Sequence, residues 1–228
     1  MALPIAVLVS GSGSNLQSII DRIEAGVLDA EIKVVISNKP GAYGLERADR
    51  HGIESRLIPH DEYESRDEFD LALMRAINGA GAEAVVLAGF MRILTPGFLH
   101  SFPQRVLNIH PALLPSFPGV HGQGDAADYG VKISGCTVHF VDEQMDHGPV
   151  IIQATVPAYA DDDGDSLGAR ILKMEHRIYP QAIQWLAQDR LTIKGRKVAL
   201  DPPASGRGAF PDAGDGNYLV NPPLEPGF

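Results

Sequence analysis

Residues 3–20, LPIAVLVSGSGSNLQSII, begin as an apolar run that ends at Gly11 and continue with Leu16, Ile19 and Ile20, followed by Ile23, at helical spacing. A short apolar run closed by glycine reads as a buried strand, and recurrence at three and four residues reads as the buried stripe of a helix. Together they form a β-loop-α unit, the opening of a doubly wound α/β fold. The chain then repeats the pattern. Residues 32–36 predict a second strand, 45–50 a short helix, 54–58 a third strand and 69–77 a further helix. Residues 84–88 and 106–109 are continuous apolar runs of the kind found where both faces of a sheet are covered. The expectation is one α/β domain over residues 1–200, with a mostly parallel central sheet and helices on both faces.

Beyond His110 the character changes. Pro111, Pro115, Pro118, Gly119, Gly122 and Gly124 punctuate a stretch expected to be a long irregular loop, and long loops in compact domains often carry function. Residues 136–141 and 150–156, joined by 142–149, predict an antiparallel pair appended to the sheet. A helix is expected over 166–188, with Leu167, Ile171, Met174, Ile178, Ile183 and Leu186 as its buried stripe and Pro180 kinking it or interrupting its hydrogen bonds. The stretch 201–228 is dense in Pro, Gly and Asp without periodicity and reads as an extended or disordered tail.

Composition narrows the function. The 228 residues are 44% hydrophobic, enough for one sizeable core. A formal net charge of −10 and a pI near 5.2 argue against a surface that tracks a nucleic-acid backbone, so a small substrate is expected. Cys136 is the single cysteine and cannot form an intrachain disulfide; a reduced thiol fits the cytoplasm. There is no signal-like apolar segment with a cationic lead and no apolar run approaching about 18 residues, so neither secretion nor a membrane span is expected. No solenoid-length repeat and no paired Cys or His spacing for a metal appear.

Three places carry chemistry. In Asn108-Ile109-His110-Pro111, a strand end would put Asn108 and His110 on one face, since strand residues two apart share a side. An amide donor beside an imidazole suits a reaction in which charge develops on a carbonyl oxygen while a proton moves, as in acyl transfer. Turn formation and ordinary hydrogen bonding account for the same pair. Gly11-Ser12-Gly13-Ser14-Asn15, between strand and helix, exposes backbone N–H groups at the positive helix end, a seat for one phosphate. Its spacing is not GxGxxG, which disfavours a dinucleotide, and a plain turn with Ser14 as helix cap is the alternative. Asp146, in the loop 142–149, stands where a carboxylate can meet an imidazole of a neighbouring strand, a pairing that favours the charged ring. A merely solvated acidic loop would look the same.

Taken together, Gly11 to Asn15, then Leu87-Ala88-Gly89-Phe90-Met91-Arg92-Ile93-Leu94, then Asn108 to Pro111, then Asp146-His147-Gly148-Pro149 resemble the phosphoribosylglycinamide formyltransferase family, the folate-dependent transformylases of purine biosynthesis. The resemblance runs over about residues 5–191 and takes in the block 134–141 and Glu175-His176-Arg177-Ile178-Tyr179-Pro180. It implies a single-domain, Rossmann-like formyltransferase fold and transfer of a formyl group from 10-formyltetrahydrofolate, as cosubstrate, to the amine of glycinamide ribonucleotide. By that resemblance Asn108 would hold the oxyanion, His110 would act as proton donor or electrostatic partner, and Asp146 would assist it. Gly13, Ser14 and Asn15 would bind the ribonucleotide phosphate, and Leu172, Lys173, Met174 and Glu175 would serve the nucleotide, Glu175 at the ribose. Arg66, Met91, Arg92, Ile93, Leu94, Asn108, Asp142, Glu143, Gln144, Met145 and Asp146 would meet the folate. His121 and His139 would support the site.

The resemblance calls for no metal and no covalent intermediate, and implies a cytoplasmic monomer or homodimer without nucleic-acid or membrane partners. The sequence departs from the family at Leu172, where relatives carry Lys or Gln, and at His147, where many have Gly. Three related readings compete. Methionyl-tRNA formyltransferases share the core but carry a further C-terminal domain and must attract a polyanion, whereas this tail is short and acidic. Formyltetrahydrofolate hydrolases put water in place of the amine and usually carry an N-terminal regulatory domain, whereas here the first strand is expected at about residue 3. A nucleotide-sensing module using only the Gly11 to Asn15 loop would bind without transferring formyl.

Overall fold

The structure, a computed structural model, describes residues 1–202 and 219–228. Two compact units divide the chain: unit one comprises Met1–Asn108 and Phe140–Glu143, unit two Ile109–His139 and Gln144–Phe228. The fold is α/β with a mostly parallel sheet, as the apolar runs predict.

Unit one holds β1 (Leu3–Val9), α1 (Ser14–Glu24), β2 (Ala30–Ser37), α2 (Tyr43–Arg50), β3 (Ser55–Leu57), α3 (Arg66–Gly79), β4 (Ala84–Leu87), α4 (Pro96–Ser101) and the first residues of β5 (Val106–His110). Its strands are parallel, in the order β3-β2-β1-β4-β5. Strand β1 is central, paired on both edges with β2 and β4, and both of its faces are covered. Ile5, Ala6, Val7, Leu8 and Val9 are accordingly all buried, and the run is continuous rather than alternating. Leu8, Ile36, Leu73, Ile77, Val85 and Phe98 lie at the heart of this core.

Helix α4 escapes the sequence reading because its six residues are too few to show a period. It is nonetheless locally specified: Thr95 caps it by accepting the Phe98 N–H, Pro96 fits the first turn, and Phe98 and Leu99 are buried.

Unit two continues from β5 through α5 (Gly122–Tyr129), β6 (Ile133–Phe140, of which Phe140 belongs to unit one), β7 (Val150–Pro157), α6 (Gly164–Ala187), β8 (Leu191–Lys194), β9 (Lys197–Leu200) and β10 (Val220–Asn221). The expected antiparallel β6–β7 pair is present. Strand β7 also pairs in parallel with β9, which forms an antiparallel hairpin with β8.

The expectation of an irregular loop across 111–124 is corrected at its end, where Gly122 and Gly124 open α5. Gly122 is a contact point rather than a breaker. A Cβ on Gly122 would lie 3.1 Å from the Phe117 carbonyl oxygen and 3.2 Å from His110 Nε2, and one on Gly164 would lie 3.2 Å from the Gly124 Cα. Close approach, invisible in the sequence, accounts for Gly122 and Gly164.

Helix α6 runs unbroken past Pro180 to Ala187, so the proline does not end it, although it offers no N–H to the turn before. The predicted stripe is buried and is joined by Tyr179 and Trp185. Of the expected tail, residues 203–218 lie outside the described residues. The last ten residues are tied down at several points: Val220 pairs with Ala154 and is fully buried, and the Glu225 carboxylate accepts both terminal nitrogens of Arg190. Among the described residues no helix is long and apolar enough to cross a membrane.

Candidate active site

His110 ends β5 and is buried. Its Nε2 donates to the Phe117 carbonyl oxygen at 2.8 Å, so in the neutral ring the bare nitrogen is Nδ1. That nitrogen faces Asp146 Oδ2 at 3.5 Å, and Asp146 Oδ1 stands 3.9 Å from Nε2 of the buried His139. Oδ2 also accepts the Gly119 N–H at 2.7 Å. Asp146 itself has φ of 52°, a left-handed backbone that Asp tolerates better than most residues but that still carries a cost. Unit two thus gathers one carboxylate, two imidazoles and two backbone groups of the proline-rich loop.

The loop is held there by the β6–β7 pair. The Thr137 hydroxyl donates to the Ala112 carbonyl at 2.7 Å and accepts the Leu114 N–H at 3.1 Å, while Gln153 Nε2 donates to the Leu114 carbonyl at 3.0 Å. Gly135 is required by the strand pairing itself, since a Cβ there would run into the Ala154 carbonyl of β7, and it would also lie 2.8 Å from Leu113 Cδ2. Sequence reasoning missed Thr137, Gln153 and Phe117, since ordinary polar and aromatic residues announce nothing until the chain folds. Asn108, half-buried and in register with Leu87, lies two residues before His110 on β5 and so on the same side of the strand.

In unit one the Gly11 to Asn15 loop is built differently from the capped-turn alternative. Gly13, at φ 67° and ψ 30°, is the residue ahead of α1, and Ser14 is already helical. Helix α2 backs the loop: the Gly44 N–H donates to the Gly11 carbonyl at 3.0 Å and Arg47 Nε to the Ser12 carbonyl at 2.8 Å. A trans peptide points its N–H opposite its C=O, so the N–H groups of Ser12 and Gly13 are aimed away from α2. With the first turn of α1 they make an array suited to an anion. A Cβ on Gly13 would fall 2.6 Å from the Gly44 Cα, so only glycine fits.

The segment 91–94 is anchored by a buried relay that the sequence did not disclose. The Met91 N–H donates to Ser10 Oγ at 2.8 Å, and Ser10 in turn donates to Asn38 Oδ1 at 2.6 Å. Met91 and Ile93 are exposed and Arg92 half-buried, whereas Leu94 is committed to the core of unit one and offers a ligand only its backbone. Arg66 is the exposed first residue of α3. Asp142 is half-buried; Glu143, Gln144 and Met145 are exposed, and Glu143 pairs with His100 at 3.4 Å.

On α6, Met174 is buried and Lys173 exposed, while Leu172 and the buried Glu175, one turn apart, share a side. Met174 is 1% exposed, so its side chain belongs to the core. Burial and, second, the Glu175 carboxylate push the Cys136 thiol well above its usual range, which keeps it protonated and inert. His121 is exposed at the start of α5 and its side chain does not cap that helix. Among the described residues no cluster of His, Cys, Asp and Glu could hold a metal.

A depression of about 550 Å³ on unit one, lined by Arg56, Ile58, Tyr63, Glu68, Leu71 and Arg75 among others, touches none of these residues. Arg56 there is already paired with Glu54, and the depression carries no evident chemistry.

Comparison with known proteins places this geometry. The family described as formyl transferase matches residues 3–183. Phosphoribosylglycinamide formyltransferase of Escherichia coli is 44% identical over 197 residues, covering 86% of this chain and 93% of that protein. The trifunctional purine biosynthetic protein adenosine-3 of Drosophila melanogaster is 50% identical over 191 residues, but the chain spans only 14% of its length. The crystal structure of glycinamide ribonucleotide transformylase 1 from Symbiobacterium toebii superposes with a TM-score of 0.86 at 48% identity, covering 87% of this chain and 94% of that one.

Proposed function

The chain belongs to the formyl transferase family, and from that premise we propose that it transfers the formyl group of 10-formyltetrahydrofolate to the amine of 5'-phosphoribosylglycinamide. The products are 5'-phosphoribosyl-N-formylglycinamide and tetrahydrofolate, in purine biosynthesis. The observation that carries this reading is the likeness to the E. coli formyltransferase over nearly the whole length of that enzyme.

The amine is the nucleophile and attacks the formyl carbon. As the carbonyl oxygen becomes an oxyanion, the Asn108 side-chain N–H donates to it; such a donor is worth roughly a hundred- to a thousandfold in rate. His110 supplies positive charge and a proton from Nδ1, the nitrogen that faces Asp146. Asp146 holds the charged ring and takes part in moving the proton. Collapse of the tetrahedral intermediate breaks the bond to N10 of the folate, which takes the His110 proton as it leaves, and the extra proton of the amine nitrogen passes by way of Asp146 back to His110, so both side chains end as they began.

The phosphate sits on the N–H array of Gly13, Ser14 and Asn15, with Glu175 at the ribose. Backbone groups of residues 91–94 and of 142–146 take the edge of the folate ring system, and the exposed Arg66 offers charge to its carboxylate end. Leu172, Lys173, Met174 and Glu175 of α6 form the nucleotide side, Met174 through its backbone because its side chain is buried. The protein works in the cytoplasm as a monomer or homodimer on small molecules.

The test is formyl transfer from 10-formyltetrahydrofolate with and without glycinamide ribonucleotide. Turnover that requires the amine is expected. Turnover without it would make the protein a hydrolase, and binding without turnover a sensor.

A further inference from the structure

The β8–β9 hairpin and His147 play no part in the reaction as described, yet they meet beside its carboxylate. The parallel pairing of Val150 with Lys197 brings the hairpin turn alongside the end of the 142–149 loop, and Gly195, at φ 62°, lets that turn close. Arg196 then reaches back. Its Nη2 donates to the His147 carbonyl at 2.6 Å, and its Nη1 lies 2.9 Å from Nε2 and 3.2 Å from Nδ1 of the same ring.

We propose that Arg196 is a positioning residue for formyl transfer, a latch that holds the backbone directly after Asp146 and thereby keeps the carboxylate on His110. The inference rests on the reading of Asp146 as a participant in that reaction. Asp146 has a left-handed backbone, which a non-glycine residue holds only when its surroundings insist. One anchor is the Gly119 N–H on the carboxylate oxygen. That bond fixes the side-chain tip but not the peptide that carries it. Arg196 supplies a further anchor, on the carbonyl of the next residue.

The experiment uses the full chain and measures hydrogen exchange over residues 142–149 together with kcat, KM and the pH profile. Arg196→Met is expected to speed exchange in that loop by about 3- to 10-fold and to lower kcat by a similar factor, the scale of one modest hydrogen bond. KM for the amine substrate should be unchanged, and Arg196→Lys, which can still donate to the carbonyl, should restore part of the loss. Because the latch acts through Asp146, the effect of Arg196→Met on kcat should vanish in an Asp146→Asn background. Unchanged exchange, or faster exchange with unchanged kcat, overturns the latch. An unchanged rate in Asp146→Asn alone would instead sink the role of Asp146, which separates the two failures.

Discussion

Nε2 of His110 donates to the backbone carbonyl of Phe117 at 2.8 Å, and this bond selects which nitrogen of the ring can do chemistry. The Phe117 carbonyl cannot give a proton back, so Nε2 keeps its hydrogen and the exchangeable position is Nδ1. That atom faces Asp146 Oδ2 at 3.5 Å. Phe117, itself at φ 51°, belongs to the loop that Thr137 and Gln153 pin, so the tautomer of a proposed catalytic histidine is decided by hydrogen bonds well away from it.

The carboxylate should therefore matter for its charge and not its shape. Asp146→Asn keeps the size and tolerates the same left-handed backbone. Formyl transfer is expected to fall by roughly a hundred- to ten-thousandfold with a displaced pH profile, while the thermal midpoint barely moves. Rates across pH and a melting curve check this; an unchanged rate and profile would remove Asp146 from the mechanism.

Asn108→Ala should leave binding of both substrates close to normal and lower kcat by roughly a hundred- to a thousandfold, because an oxyanion donor acts only as charge develops. Steady-state kinetics with each substrate varied would show it. A loss confined to KM would contradict the oxyanion role.

Arg47 braces the Gly11 to Asn15 loop, the proposed phosphate seat, from behind, through the Ser12 carbonyl at 2.8 Å and Gln17 Oε1 at 3.0 Å. Arg47→Met should raise KM for the ribonucleotide by about 3- to 10-fold with kcat retained, since the N–H array loosens but the reacting groups do not move. Gly13→Ala, by contrast, should impair folding itself, because its Cβ has no place beside Gly44. Titration with glycinamide ribonucleotide and thermal melts would separate the two effects.

Asp162 receives both terminal nitrogens of Arg170, at 2.7 and 2.9 Å, the Tyr159 N–H and the Ser166 hydroxyl, just ahead of α6. The Arg170 hydrogen bonds lead in holding its carboxyl well below the usual carboxylate range. A lowered folded-state value means that the stabilisation is present above the unfolded value and is lost as pH falls through the folded one. Asp162→Asn should cost about 1 kcal/mol near neutrality, and the gap to the parent protein should close in strong acid. Urea melts at several pH values would test it; a constant gap would disprove the linkage.

How much was legible depended on the range of the interaction. The strands of unit one and the stripe of α6 could be read because burial on one or both faces imposes a period on neighbouring residues. Helix α4 was too short for a period, and α5 was hidden by Gly122 and Gly124, of which Gly122 is closely packed. The packed end of the chain, from Leu219 to Phe228, looked like featureless composition because its partners, among them Ala154 and Arg190, are remote in sequence.

By itself, then, the sequence determined the α/β alternation, the glycine loop ahead of α1 and the same-side placement of Asn108 and His110, since each follows from local backbone geometry and solvent exclusion. Tertiary structure alone decided that Nδ1 of His110 faces Asp146, that α2 aims the loop N–H groups outward, that Leu94 and Met174 are committed to the core, and that Arg196 grips the residue after Asp146. These are contacts between groups tens of residues apart. Their energies are realised only once loop closure has brought the partners together, and no local pattern records them.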